Sequence, residues 1–139
     1  MPANTSPIFI LSGNVATATI AAANTASDGS GTLVTLVTAS QSGTRVDSVR
    51  FRNSQATAAA SSNMVHRMFL SDAAGANPRL IGEVATAAAT RSVSAIGSTS
   101  IFTFDQPVIM KSGQIMYVIQ SVYAGAQDRF DAFAYAGDY

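Results

Sequence analysis

Nine short runs of β-branched and aromatic residues, each closed by small turn-forming residues, commit this chain to sheet. In order they are PIFIL, VATATIA, TLVTLVTA, VDSVRFRN, MVHRMFLSD, RLIGEVATA, SIFTFDQPVIM, QIMYVIQSVY and RFDAFAYAG. Punctuation falls at Ser12-Gly13-Asn14, Asp28-Gly29-Ser30-Gly31, Ser42-Gly43, Gly75-Ala76-Asn77-Pro78, Lys111-Ser112-Gly113 and Gly125. Two Ala-rich stretches, AAANTASDGSG and NSQATAAASSNM, are broken by residues whose side chains compete for backbone hydrogen bonds. The first reads as a strand end plus turn, the second as a long loop. With no helix between strands, parallel βαβ units are excluded. The spacing predicts an all-β fold, an antiparallel β-sandwich of jelly-roll type with about eight or nine strands. Residues 1–13 read as an N-terminal arm or first strand, and 14–139 as a single sandwich domain.

Alternation assigns faces. Val49 and Phe51 point one way, and Ser48, Arg50 and Arg52 the other. Ile101 and Thr103 oppose Phe102 and Phe104. In QIMYVIQSVY both faces are apolar: Met116, Val118 and Val122 on one, Ile115, Tyr117, Ile119 and Tyr123 on the other. Such a strand is covered on both sides, either by a long loop of its own chain or by another subunit. Pro107 cannot donate to a central ladder and marks an edge or a bulge. The final run puts Phe133 and Tyr135 on one face with Arg129 and Asp131, and Phe130, Ala132, Ala134 and Ala136 on the other. Gly137 then releases the chain into Asp138-Tyr139. Four of eleven aromatics lie in these last eleven residues, so the terminus is expected to close the sandwich or lie against a neighbour.

Composition bounds the chemistry. A chain of 139 residues can bury roughly two thirds of its unfolded surface in one core. The absence of cysteine excludes disulfides and thiolate metal sites. Eight basic and eight acidic residues cancel, which argues against a nucleic-acid partner. Charged residues make up only 12% of the chain, against roughly 25% in ordinary soluble domains. A surface so poor in charge is built to associate, or is covered by Ser, Thr, Asn and Ala. No apolar run approaches the roughly 18 residues of a membrane span. The start lacks a basic n-region, so no signal peptide is expected. Asn4-Thr5-Ser6 matches a glycosylation sequon by chance.

No catalytic, cofactor-binding or metal-binding residues are assigned, and the chain reads as a non-enzyme. His66, the single histidine, shares a face with Met64, Met68 and Leu70. No G-x-S-x-G elbow presents a serine to it, and a triad would further need Asp72 or Asp47 beside it. It reads as a structural or interface residue. One histidine without cysteine is too poor a set for zinc. Calcium at Asp28 would need further acids that the turn lacks, since the twelfth loop position is Ala39. Gly29-Ser30-Gly31 has neither the spacing nor the following helix of a phosphate cradle. Glu83 points to solvent or pairs with an arginine. Arg50 and Arg52 lie about 7 Å apart on one strand face, a basic patch for an acidic surface or a solvated face. Arg67, between Val65 and Phe69, asks for a carboxylate across strands or across subunits.

Several stretches together resemble a family of small tailed-bacteriophage structural proteins: NTSPIF, ANTASDGSGT, GTRVDSVRFRN, MVHRMFLSD, RLIGEV and the terminal FDAFAYAGDY. The family pattern runs through a TPIF segment, an N-T-x-x-D-G-x-G-T turn, a V-R-L-F-L-x-D-G strand and a final G-G-D-Y, and it spans nearly the whole chain. Ala136 and His66 depart from it, where glycine and a hydrophobe are usual. The resemblance implies a virion protein, in first place a capsid decoration (cement) protein. Such a protein trimerises on the capsid exterior and braces neighbouring copies of a major capsid protein, after synthesis in the bacterial host cytoplasm. Its partners would be the major capsid protein and further copies of itself, with no nucleic acid, membrane or small-molecule substrate. A tail or baseplate component, or a receptor- or carbohydrate-binding module using surface tyrosines, is the alternative. Candidate interface residues are Arg50, Arg52, His66, Arg67, Tyr117, Tyr123, Phe133, Tyr135 and Tyr139.

Overall fold

The computed structural model describes residues 9–56 and 58–139. Its strands are β1 (Ser12–Ile20), β2 (Val34–Thr38), β3 (Thr44–Asn53), β4 (Met64–Ala73), β5 (Arg79–Thr86), β6 (Thr99–Met110), β7 (Gln114–Gln120) and β8 (Phe130–Asp138). A 3₁₀ turn, Ala126–Asp128, precedes β8. The strands form two antiparallel four-stranded sheets, a first in the order β1-β8-β3-β6 and a second in the order β2-β7-β4-β5. Packed against each other they make the expected β-sandwich. Pairing is nested: β1 with β8, β2 with β7, β3 with β6 and β4 with β5. Only the β4–β5 connection stays within a sheet; every other one crosses between the two.

Among the described residues there are eight strands, and PIFIL is the run that yields none. Phe9–Leu11 precede β1 as irregular chain, and Pro7 and Ile8 lie outside the described residues. The turn expected at Ser12-Gly13-Asn14 is instead the start of β1, paired with Asp138, Gly137 and Ala136. Pairing with a long neighbour overrides local turn preference there, so the boundary expected at 13/14 falls inside a strand. Gly137 belongs to β8 and does not release the chain. A Cβ at that position would fall 2.5 Å from Ile10 Cγ2, so the glycine makes room for the incoming N-terminal segment. Pro107 satisfies both expectations at once. It lies on edge strand β6, where the register with β3 breaks between Thr103 and Val108.

One cluster of inward side chains fills the sandwich: Ile20, Val46, Val49, Phe51, Phe130, Ala132 and Ala134 from the first sheet, and Met64, Met68, Met116 and Val118 from the second. The small face of β8 is packed against the opposite sheet in this intramolecular core. Flexible methionines fill irregular space well against small residues. At Gly82 the sheets come so close that a Cβ would meet the Phe102 ring at 2.8 Å and Met68 Cε at 2.9 Å.

The C-terminus is held on both sides. β8 lies between β1 and β3, and the Thr44 hydroxyl donates to the Asp138 carboxylate at 2.5 Å. Tyr139 N–H reaches the Gly43 carbonyl at 3.2 Å.

Candidate functional site

The register of the first sheet gathers four of the candidate residues on its outer face. Phe133 lies between Thr17 on β1 and Arg50 on β3, and Arg50 pairs onward with Ile101 on β6. Tyr135 lies between Val15 and Ser48, and Asp131 between Thr19 and Arg52. The result is a grid of three rows across four strands. Phe133 and Tyr135 are half-buried at its centre. Val15 and Ile101 flank them at 53% and 49% exposure. The Arg50 guanidinium sits 5.7 Å from the Tyr135 ring centroid, within cation–π range. Asp131 accepts from the Thr19 hydroxyl at 2.7 Å. Arg50, Arg52 and Arg129 are exposed, and none of them is in an ion pair among the described residues. Arg45, toward the other end of β3, is held by Asp47 at 2.7 Å. The face has aromatic and branched side chains at its centre, with Arg50 among them and Arg52 and Arg129 toward one end. Those are the materials of a protein-contact surface.

The outer face of the second sheet is different. Arg67 aligns with Ile119 and Glu83, and Phe69 with Tyr117. Phe69 and Ile119 are fully buried yet stand outside the core cluster. Their cover is the loop between β1 and β2. Ala23 bridges to Gln120, Asn24 N–H donates to the Gln120 carbonyl at 2.9 Å, and Arg67 Nη1 donates to the Thr25 carbonyl at 3.2 Å. The Asn24 amide braces the loop through the carbonyls of Ser30 and Thr32. Gly29, at φ 83°, packs so tightly on Pro78 that a Cβ would lie 2.6 Å from its carbonyl oxygen. Gly75, at φ 79°, leaves the space that the Tyr117 hydroxyl occupies. So β7 is covered on both faces, and its outer cover is the chain's own loop. Arg67 has its carboxylate across strands, in Glu83 at 2.6 Å.

His66 is not an interface residue: it lies in the core with no exposed surface. Its ring stacks on Phe51 at 4.2 Å and tilts against Phe130 at 4.7 Å. Nδ1 meets the Thr86 hydroxyl at 2.8 Å, and Thr86 meets the Ser100 hydroxyl at 2.6 Å. A hydroxyl beside an imidazole has the geometry of a nucleophile and base. Here both are buried and a serine, not an acid, continues the chain, so no substrate reaches the pair. Burial alone pushes the His66 pKa down to about 3, and the ring is neutral at ordinary pH. Tyr117 is half-buried under the β4–β5 turn, Tyr123 is half-buried in the β7–β8 connection, and Tyr139 packs beside Gly43.

One buried group escaped the sequence reading. Asp128 is fully buried, and its carboxylate accepts Ser62 N–H at 2.7 Å, the Ser62 hydroxyl at 2.9 Å and Ala124 N–H at 2.8 Å. It pins the β3–β4 loop to the β7–β8 connection. Asp28 does a smaller version of this at the surface. Its Oδ1 accepts the Ser30 hydroxyl at 2.6 Å and the Ser30 N–H at 3.0 Å, which holds its carboxyl below the ordinary range and closes the turn. Among the described residues no three His, Cys, Asp or Glu side chains converge to hold a metal.

Comparison with protein-family models, with curated proteins and with solved structures finds no match for this chain.

Proposed function

We propose that this protein is a non-enzymatic structural subunit of a phage virion, a capsid decoration (cement) protein that uses the outer face of its first sheet to brace the major capsid protein. The observation that carries the reading is that face, where half-buried Phe133 and Tyr135 and exposed Val15 and Ile101 lie beside Arg50, Arg52 and Arg129, which make no ion pair among the described residues. The nested strand pairing supports it. Pairing each strand with its mirror in chain order is how a long hairpin rolls into a jelly roll, an architecture common in capsids. Decoration sums many modest contacts over a repeating lattice, so avidity replaces a single deep site. A broad surface with an aromatic centre suits that task. Arginines at its rim complement carboxylates on a partner and steer encounter.

The test is co-sedimentation with purified capsids. The expected result is saturable binding in fixed ratio to lattice sites, a raised capsid disruption temperature, and loss of both on Arg50→Glu with Arg52→Glu. Protein that ignores capsids and labels tails, or that binds capsids equally well with both arginines reversed, contradicts the reading. A glycan-binding role for the same face is the second reading, favoured by the shallow groove of Thr17, Thr19, Asp131 and Phe133. An aromatic ring beside hydroxyl and carboxylate groups is a sugar-stacking arrangement, and a glycan array separates it from the first.

A further inference from the structure

The four sheet edges are not protected alike. β6 carries Asp105 and Pro107 and a break in its register with β3. β5 carries Arg79 and Glu83, and its register with β4 shifts between Met68 and Phe69. β2 is only five residues long and its register shifts between Thr35 and Val37. Charges, prolines, bulges and shortness are the devices that stop an edge from pairing with another chain. β1, the other edge of the first sheet, has none of them. Its nine residues pair with β8 without a break, from Ser12↔Asp138 to Ile20↔Phe130. It contains no proline, and the first charged residue of the whole chain is Asp28. Among the described residues no strand pairs with its far side. Half of its backbone N–H and C=O groups therefore point away from β8, unmatched by a ladder.

We infer that β1 pairs with β1 of a second copy of this chain, antiparallel about a twofold axis at Ala16, joining two first sheets into one eight-stranded sheet. The occupant follows from the charge pattern. Under a twofold axis every β1 residue meets a residue of the same strand, so any charge would face or neighbour its own kind. An uncharged strand is the sequence that such self-pairing requires. Centring on Ala16 uses all nine residues and sets Val15 opposite Thr17 of the second copy, twice, on the outer face. β-branched cross-strand pairs of this kind stabilise a ladder. Past the strand start, Leu11, 83% exposed, would lie beside Ala21 of the second copy. The pairing extends the outer face across the axis and sets a twofold contact where the resemblance implies a threefold one. It does not depend on capsid binding.

The test is the mass of the full chain in solution by light scattering across a concentration series. The wild-type chain is expected to be a dimer. Val15→Lys with Thr17→Lys crowds like charges about the axis and should leave a folded monomer. Val15→Lys with Thr17→Glu, at the same exposed positions, sets opposite charges across the axis and should keep the dimer. A wild-type monomer, a wild-type trimer, a dimer that survives the double lysine variant, or two double variants that behave alike overturns the inference. Should the lysine variant unfold, Val15→Cys with Thr17→Cys decides: these exposed positions face each other across the axis, so in a chain without cysteine oxidation should cross-link it to a dimer, and failure to do so counts against the pairing.

Discussion

The outer faces of the two sheets have similar ingredients and opposite fates. Each has aromatic and branched residues on neighbouring strands and an arginine beside them: Ile119, Phe69, Tyr117 and Arg67 on the second sheet, Ile101, Phe133, Tyr135 and Arg50 on the first. On the second sheet the β1–β2 loop lies across the face, Arg67 has Glu83 and the Thr25 carbonyl, and Ile119 loses its solvent contact. On the first sheet no such loop crosses the grid among the described residues, and the segment at Ile10 packs at its edge, on Gly137. Apolar content alone therefore does not mark a contact surface. What marks it is apolar content left uncovered after the chain's own loops are placed.

Substitutions test that contrast. The largest expected effect separates the inside of the sandwich from the bare face along one strand. Phe130→Ala should cost about 3–5 kcal/mol in denaturant unfolding, as full-size core truncations do. Phe133→Ala, three residues on, should cost less than half as much and show its effect in association. Next come the two outer faces. Ile119→Ala should cost about 2–5 kcal/mol, because the loop-covered site behaves as core. Ile101→Ala should stay near the roughly 0.5 kcal/mol of ordinary surface changes. Equal costs at these two positions would erase the distinction between the faces.

Asp128→Ala removes the charged acceptor of three hydrogen bonds, from half-buried Ser62 and exposed Ala124, and should cost about 1–3 kcal/mol in all. Hydrogen exchange should rise together in the β3–β4 loop and the β7–β8 connection. The last contrast is in pH dependence, from His66. Above its ordinary pKa the ring is neutral folded and unfolded, and contributes no slope. Below it the unfolded chain takes up a proton that the folded core refuses until about pH 3. Stability should therefore fall with pH, by about 1.4 kcal/mol for each unit well below 6.5. His66→Gln should flatten that slope. A slope unchanged by the substitution would place the acid sensitivity elsewhere.

Facing was legible from sequence and covering was not. The parity of RFDAFAY, VDSVRFRN and SIFTF put Phe133, Tyr135, Arg50, Arg52 and Ile101 on the correct sides, because side-chain alternation is a local property. Which strands stand side by side depends on the order β1-β8-β3-β6, which no short window contains. So Val15 and Thr17 were not seen as neighbours of Tyr135 and Phe133. The need for a cover over Ile119 was legible in the doubly apolar run of β7, but the choice between loop and subunit was not, since it rests on the single chain of contacts from Ala23 through Thr25 to Gly29. Gly137 looked like punctuation because its partner, Ile10, is distant in sequence. Asp128 looked like any loop acid because its donors, Ser62 and Ala124, come from two other segments.

The central claim is that the first sheet's outer face is covered in the assembled state and the second sheet's is not altered by assembly. Hydroxyl-radical footprinting of tyrosines and phenylalanines, on the isolated chain and on decorated particles, tests it directly. The account predicts strong protection of Phe133 and Tyr135 on assembly with Tyr117 unchanged. Protection of Tyr117 with Phe133 and Tyr135 labelled as in the free chain would contradict it.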